Sequence, residues 1–480
     1  MRARLTALIL LGAISAIALA VAPAASQQAS VPAPVTYPPE WMATLAKIRD
    51  AALASDYAYR QVAHLTENIG PRISGSPQAQ QAVEYVAGEL RRLGLEVTLE
   101  KVMVPHWVRG EERAELTVFP GQAQHTTQRI VLTALGNSPA TPPDGITAEV
   151  VVVNNFDELA ALGREKVAGK IVLYNAKFDE RMAAEGRAGE AYGHVYEYRS
   201  KGAQAAVALG AVASLMRSLG GADYRIPHAG YSIAAGIPAA AITAEDAQLI
   251  ADLAQQGRVV MHLVLTPQTL PDVESYNVIG DLKGSEHPEQ IVIVSGHLDS
   301  WDLGTGAIDD AAGVAVAMQV ANLCMQLGLH PKRTLRVIAW MDEENGTTGG
   351  AAYAAEHKSD AANHIAAIES DLGSDHPLGM GGTFNKDAMA ALQPFTKVLE
   401  STGATLLQPN GDSGADIETL ADSGVPVFGL IQDNRTYFHY HHTAADTLDK
   451  VNPQMLAENA ALMAVYAFGI ADAPKPLPRQ

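Results

Sequence analysis

The sequence predicts an α/β fold in which a mixed, mostly parallel sheet is covered by helices and interrupted by an inserted β-rich domain. Three observations predict it. From Tyr276 onward, short apolar runs alternate with segments of helical periodicity, the pattern of strands buried on both faces. The stretch 130–270 has another texture, rich in Ala, Val and Gly, with several short β-like runs. Hydrophobic residues make up 48% of the 480 residues and charged residues 18%, enough to bury a substantial core.

Taken in order, residues 1–25 read as a signal peptide. Arg2 and Arg4 precede an apolar run over 5–22, and Ala22-Pro23-Ala24 offers a small-residue cleavage site. That places the protein in the periplasm or the medium. Residues 26–40 form a Pro- and Ala-rich leader. Residues 41–129 open the main domain: helical spacing over 41–65, turn residues over 69–76, and a second helix started by Ser76-Pro77 with Val83, Val86, Ala87 and Leu90 on one face. Alternation over 95–104 predicts a strand. In the 130–270 insert, strands are expected at 149–153, 170–174, 205–209 and 239–242, and no catalytic cluster is visible there. Residues 271–480 complete the main domain. Strands are expected at 291–294, 334–340, 365–370 and 426–431, with helices at 311–327, 349–357, 389–402 and 453–471.

The formal net charge of −19 argues against a nucleic-acid partner and against an anionic membrane surface. No stretch after the leader has about 18 uninterrupted apolar residues, so no other membrane span is expected. Cys324, the one cysteine, has no partner for an internal disulfide.

In open α/β sheets the site lies beyond the carboxyl ends of the strands. Four segments place metal-ligating side chains there: Ser295-Gly296-His297-Leu298-Asp299, with Asp309-Asp310 in the following loop; Met341-Asp342-Glu343-Glu344; Glu369-Ser370-Asp371; and His439-Tyr440-His441-His442. Each alone has an ordinary explanation, since carboxylates cap helices and histidines sit on solvated loops. Together they would converge, and so much buried negative charge requires cations. Imidazole with carboxylate suits zinc. Asp412, Asp416 and Arg435 lie in loops able to reach the same cleft, and read first as surface charges.

His297-x-Asp299, Asp309-Asp310, Glu343-Glu344 and His442-Thr443-x-x-Asp446-Thr447 resemble the M28 family of co-catalytic zinc peptidases. Ser300-Trp301-Asp302, Pro331-Lys332-Arg333-Thr334, the 69–76 turn and Pro105-His106-Trp107-Val108-Arg109-Gly110 make the likeness closer to its carboxypeptidase Q branch. Val167-Ala168-Gly169-Lys170-Ile171 and Gly236-Ile237-Pro238 resemble a protease-associated domain. The resemblance implies a zinc-peptidase fold with that insert, two Zn2+ per chain, a peptide substrate and a homodimer.

Carried over residue by residue, the resemblance makes His297 and Asp371 ligands of one zinc, Glu344 and His442 ligands of the other, and Asp309 the bridging carboxylate. Glu343 becomes the general base and Asp299 the carboxylate that hydrogen-bonds His297. His441 rivals His442, because the two are adjacent. The Asp309-Asp310 peptide is expected to be cis. The implied activity is an exported exopeptidase acting on dipeptides or short peptides. An aminopeptidase and a non-catalytic binding protein are the alternatives, and the full ligand set favours catalysis.

Overall fold

The computed structural model describes residues 35–220 and 224–479. The expected signal peptide, and the leader as far as residue 34, lie outside them.

The main sheet has eight strands. Their order is Glu96–Val108, Gln268–Leu282, Arg333–Trp340, His287–His297, His364–Glu369, Val427–Gln432, Pro377–Thr383 and Leu406–Pro409. The four central strands, from Arg333–Trp340 to Val427–Gln432, run parallel. Antiparallel pairings flank them on both sides. Their carboxyl ends, at His297, Trp340, Glu369 and Gln432, therefore open on one edge of the sheet.

Helices cover both faces. The helix Ala312–Leu327 is buried from Ala312 to Cys324, and Pro453–Asp472 is buried along almost its whole length. Such all-round burial explains why both sequences lack a polar face. Ala307–Leu327 is apolar and long enough to cross a membrane, but it sits inside the core. At the N-terminus of Pro77–Arg92, Ser76 accepts a hydrogen bond from the amide of Ala79, as the Ser-Pro pair predicts.

A second eight-stranded sheet contains the central insert. Its parallel part comprises Ile146–Val153, Ile171–Tyr174, Ala213–Arg217 and Ala239–Ile242. Glu112–Val118 and Gln128–Ile130 also belong to it, so this sheet begins ahead of residue 130. Arg109 joins the two parts. Its guanidinium lies 2.7 Å from Glu112 of the second sheet and 2.7 Å from Asp302 in the loop after the strand His287–His297.

Three expectations change. Residues 205–208 are helical, within Gly202–Ala208, and the strand is Ala213–Arg217. The Ala-rich run favours helix, and glycines bracket it in either reading. The 41–65 helix breaks into Pro39–Leu53 and Tyr57–Ala63, followed by a π-helical turn, His64–Ile69. The 389–402 helix breaks at Pro394 into Lys386–Leu392 and Phe395–Val398, because proline cannot donate within a helix.

Candidate metal centre

The four strand ends converge as expected. His297 closes its strand with its imidazole 1% exposed. Its Nε2 lies 3.1 Å from Asp309 Oδ1 and 3.2 Å from Asp371 Oδ1. On the other side, His442 Nε2 lies 3.2 Å from Asp309 Oδ2 and 2.9 Å from Glu344 Oε2. Asp309 thus directs one oxygen to each imidazole. His297, Asp309 and Asp371 form one group able to hold a metal ion, and Asp309, Glu344 and His442 form a second.

Asp309 owes its position to the backbone on either side. The Asp309–Asp310 peptide is cis. Asp310 turns inward, where its carboxylate accepts hydrogen bonds from the amides of His297 at 3.0 Å and Gly313 at 2.8 Å. A Cβ on Gly313 would meet the carbonyl of Ser370 at 2.0 Å, so only glycine admits this approach. Asp446 accepts from the amides of Ala307 and Ile308, both at 2.8 Å. The fully buried Arg72 donates to the carbonyls of Leu298, Thr305 and Gly306.

Asp299 does not act as expected. Its Oδ1 is 3.9 Å from His297 Nδ1, too far for a hydrogen bond. The partner of Nδ1 is the Asp299 backbone carbonyl, at 3.1 Å. The Asp299 carboxylate instead accepts from the amides of Asp342, Glu343 and Glu344 at 2.8, 3.1 and 3.3 Å, and from the Ser74 hydroxyl. It shapes the turn that presents Glu343 and Glu344.

His441 stacks on His442 with ring centroids 3.6 Å apart, and its Nε2 is 3.4 Å from Asp309 Oδ2. Its Nδ1 is 3.1 Å from Nε2 of His228. His442 alone of the pair also reaches Glu344. His228, His441 and His442 form a third group of metal-ligating geometry.

The insert contributes more than the sequence suggested. Besides His228, the helix Ala188–Ser200 brings Arg199 to 3.1 Å from His442 Nδ1. Arg199 also donates to the Tyr192 hydroxyl and, at 3.4 Å, to the carbonyl of Ala229. It is 4% exposed, forms no ion pair among the described residues, and its Nε has no partner. No local motif marks these residues. They meet the centre only through the folding of the insert. Arg199, Tyr192, Glu343, Asp371 and Asp412 share the wall of a cavity of about 520 Å³ over the centre. Asp416 is buried beside it, whereas Arg435 pairs with Asp433 and does not line it.

The electrostatics fit cations. Burial would raise Asp309, but His441, His297 and His442 hold its carboxyl well below the ordinary range. Burial pushes Glu343 well above it, opposed by His297 and reinforced by Asp371 and Glu344. Burial also raises Glu344 and Asp371. Oε1 of Glu344 is buried without a hydrogen-bond partner. Carboxylate oxygens and imidazole nitrogens gathered within 2.9 to 3.2 Å of one another are the donor types that hold zinc.

The family model for peptidase family M28 matches residues 277–467. Carboxypeptidase Q from Bos taurus is 38% identical over 432 residues, 89% of this chain and 88% of that protein. The Homo sapiens protein of the same name is 38% identical with the same coverage. Among solved structures, a peptidase M28 precursor from Shewanella amazonensis is 37% identical, with a TM-score of 0.85, covering 92% of this chain and 99% of that one. An aminopeptidase from Aneurinibacillus shares the fold at 22% identity and a TM-score of 0.63, covering 92% of this chain and 98% of that one.

Proposed function

The chain belongs to peptidase family M28, and from that premise we propose that it is an exported zinc-dependent exopeptidase that releases residues from the carboxyl end of dipeptides or short peptides. Arg199 carries the choice of end. A buried guanidinium without a counter-ion is costly, and a carboxylate bound bidentately would relieve that cost. Among the described residues it is the one Lys or Arg lining its cavity, beside Asp309, Glu343, Glu344, Asp371 and Asp412. A free substrate carboxylate docked on Arg199 would bring the adjacent peptide bond over the centre.

Two zinc ions per chain are proposed, with Asp309 shared between the donor groups. His297 and Asp371 complete one, Glu344 and His442 the other. Bound there, the ions would supply a water acidic enough to deprotonate near neutral pH and a Lewis acid for the scissile carbonyl. Glu343 is assigned as the base that takes the water's proton and returns it to the leaving amine. A carboxyl raised by burial suits that role. Asp299 is assigned a positioning role through the 342–344 amides. The second sheet is read as the protease-associated insert, which completes the substrate wall.

The test uses the zinc-loaded protein and three matched substrates: a free dipeptide, its N-acetyl form and its carboxyl amide. Cleavage lost on amidation and kept on acetylation is the expected result. The reverse pattern would make the enzyme an aminopeptidase. No cleavage with two metals bound would favour a binding protein.

A further inference from the structure

Beside the centre lies a second cavity of about 400 Å³ that the mechanism does not use. It shares Asp371, Leu372 and Asp412 with the cavity over the centre, so the two are lobes of one cleft. Its ionisable lining is Glu369, Asp371, Asp412, Glu418 and Asp422. No lysine, arginine or histidine lines it, and among the described residues Glu369, Asp412, Glu418 and Asp422 form no ion pair with a cationic side chain.

An acidic surface alone indicates nothing. Glu369 makes this one a site. It is 0% exposed, it lines the lobe, and its Oε2 has no hydrogen-bond partner. Burying a carboxylate oxygen unpartnered is costly unless a donor arrives. The loop carrying Asp412 closes on this side chain through Gly414, where a Cβ would meet Glu369 Oε1 at 2.5 Å. A lobe of about 400 Å³ exceeds what a bare ammonium group fills and leaves room for the alkyl stem of a side chain.

We propose that this lobe is a subsite for a cationic side chain, Lys or Arg, on the N-terminal side of the scissile bond. The inference rests on the exopeptidase reading: with the substrate carboxylate on Arg199 and the scissile bond over the centre, the residue before that bond points past Asp371 into the acidic lobe. The enzyme then reads charge at both ends of its substrate, a cation on one side and an anion on the other. For Lys the shared chemistry is a primary ammonium, and a lysyl dipeptide carries it in two places, on the side chain and on the α-carbon.

Four substrates separate the two: Lys-Met, norleucyl-Met, 6-aminohexanoyl-Met, which keeps the side-chain amine but lacks the α-amine, and hexanoyl-Met, which lacks both. The expected kcat/KM is at least tenfold higher for Lys-Met than for norleucyl-Met, and for 6-aminohexanoyl-Met than for hexanoyl-Met. Glu418→Gln/Asp422→Asn should lower both ratios several-fold, chiefly through KM, and Glu418→Lys should invert the first. Equal rates for Lys-Met and norleucyl-Met overturn the proposal. A preference for norleucyl-Met over hexanoyl-Met alone would assign the lobe to the α-ammonium and overturn the side-chain reading. Calorimetric binding of n-pentylammonium, lost in Glu418→Lys, tests the lobe independently of turnover. If the amine binds but no dipeptide is cleaved, the exopeptidase reading fails while the cation site stands; if it does not bind, the lobe proposal fails.

Discussion

Arg199 of the insert lies 3.1 Å from Nδ1 of His442 in the peptidase domain, across 243 residues of chain. The contact ties substrate reading to the metal centre. An N–H donor at Nδ1 suits an imidazole protonated on Nε2, whereas a metal on Nε2 requires the proton at Nδ1. Loading the centre should therefore release Arg199 toward the cavity. Arg199→Gln is expected to lower kcat/KM for a free dipeptide about 10- to 100-fold, the range for a charged hydrogen bond. It should leave the carboxyl amide's residual rate nearly unchanged. Equal losses on both substrates would mean that Arg199 only supports the fold.

The two adjacent histidines separate by metal content. His442 reaches both Asp309 and Glu344, while His441 reaches Asp309 and is held by His228. His442→Ala should lose at least one of two zinc equivalents by elemental analysis, together with activity. His441→Ala should keep both. The opposite result would move the ligand by one residue.

Glu343 lines the cavity beside Glu344 but belongs to neither donor group. Glu343→Gln should retain the metal and KM while kcat falls about 10²- to 10⁴-fold, the usual contribution of a general base. Near-normal turnover in a metal-replete variant would remove it from the mechanism.

The proposed metal ligands were legible because each lies at a strand end or in the loop that follows it, and the strands announce themselves as apolar runs. Asp309–Asp310, Glu343–Glu344 and His441–His442 are local signals of that kind. Arg199 and His228 carried none, since their relation to the centre arises only when a separate sheet docks on the first. The strand Pro377–Thr383 was invisible for another reason. Its Pro-Leu-Gly-Met-Gly-Gly-Thr run lacks the branched alternation that marks strands, and its pairing with Val427–Gln432 supplies what propensity does not. Asp299 shows the same limit at the level of one side chain. The family resemblance implied a direct hydrogen bond to His297, and the fold turned its carboxylate to three amides instead.

Metal removal should destabilise the protein. The donor groups bury Asp309, Glu344 and much of Asp371, and among the described residues no Lys or Arg forms an ion pair with them. A ligand that binds only the folded state stabilises by about 4 kcal/mol at a thousandfold excess over Kd. Chelation should lower Tm measurably, and zinc should restore it. Asp309→Ala should abolish that increment, because each donor group loses its Asp309 oxygen. An unchanged Tm on chelation would show that the donors are satisfied without metal.

Acid should destabilise the far side of the sheet through His364. This imidazole is fully buried, its Nε2 lies 2.8 Å from the Tyr353 hydroxyl, and burial brings its pKa down to about 4. The unfolded chain binds a proton near 6.5, so between those values it holds more protons than the native state. Stability therefore rises with pH across that window. The contribution is intact above about 6.5, is lost as the pH falls toward 4, and amounts to about 3 kcal/mol in all. His364→Gln should flatten the stability profile between pH 4 and 6.5 relative to wild type. Denaturation by urea at a series of pH values would show it. A variant that parallels wild type over the whole window would place the acid sensitivity at the metal ligands instead.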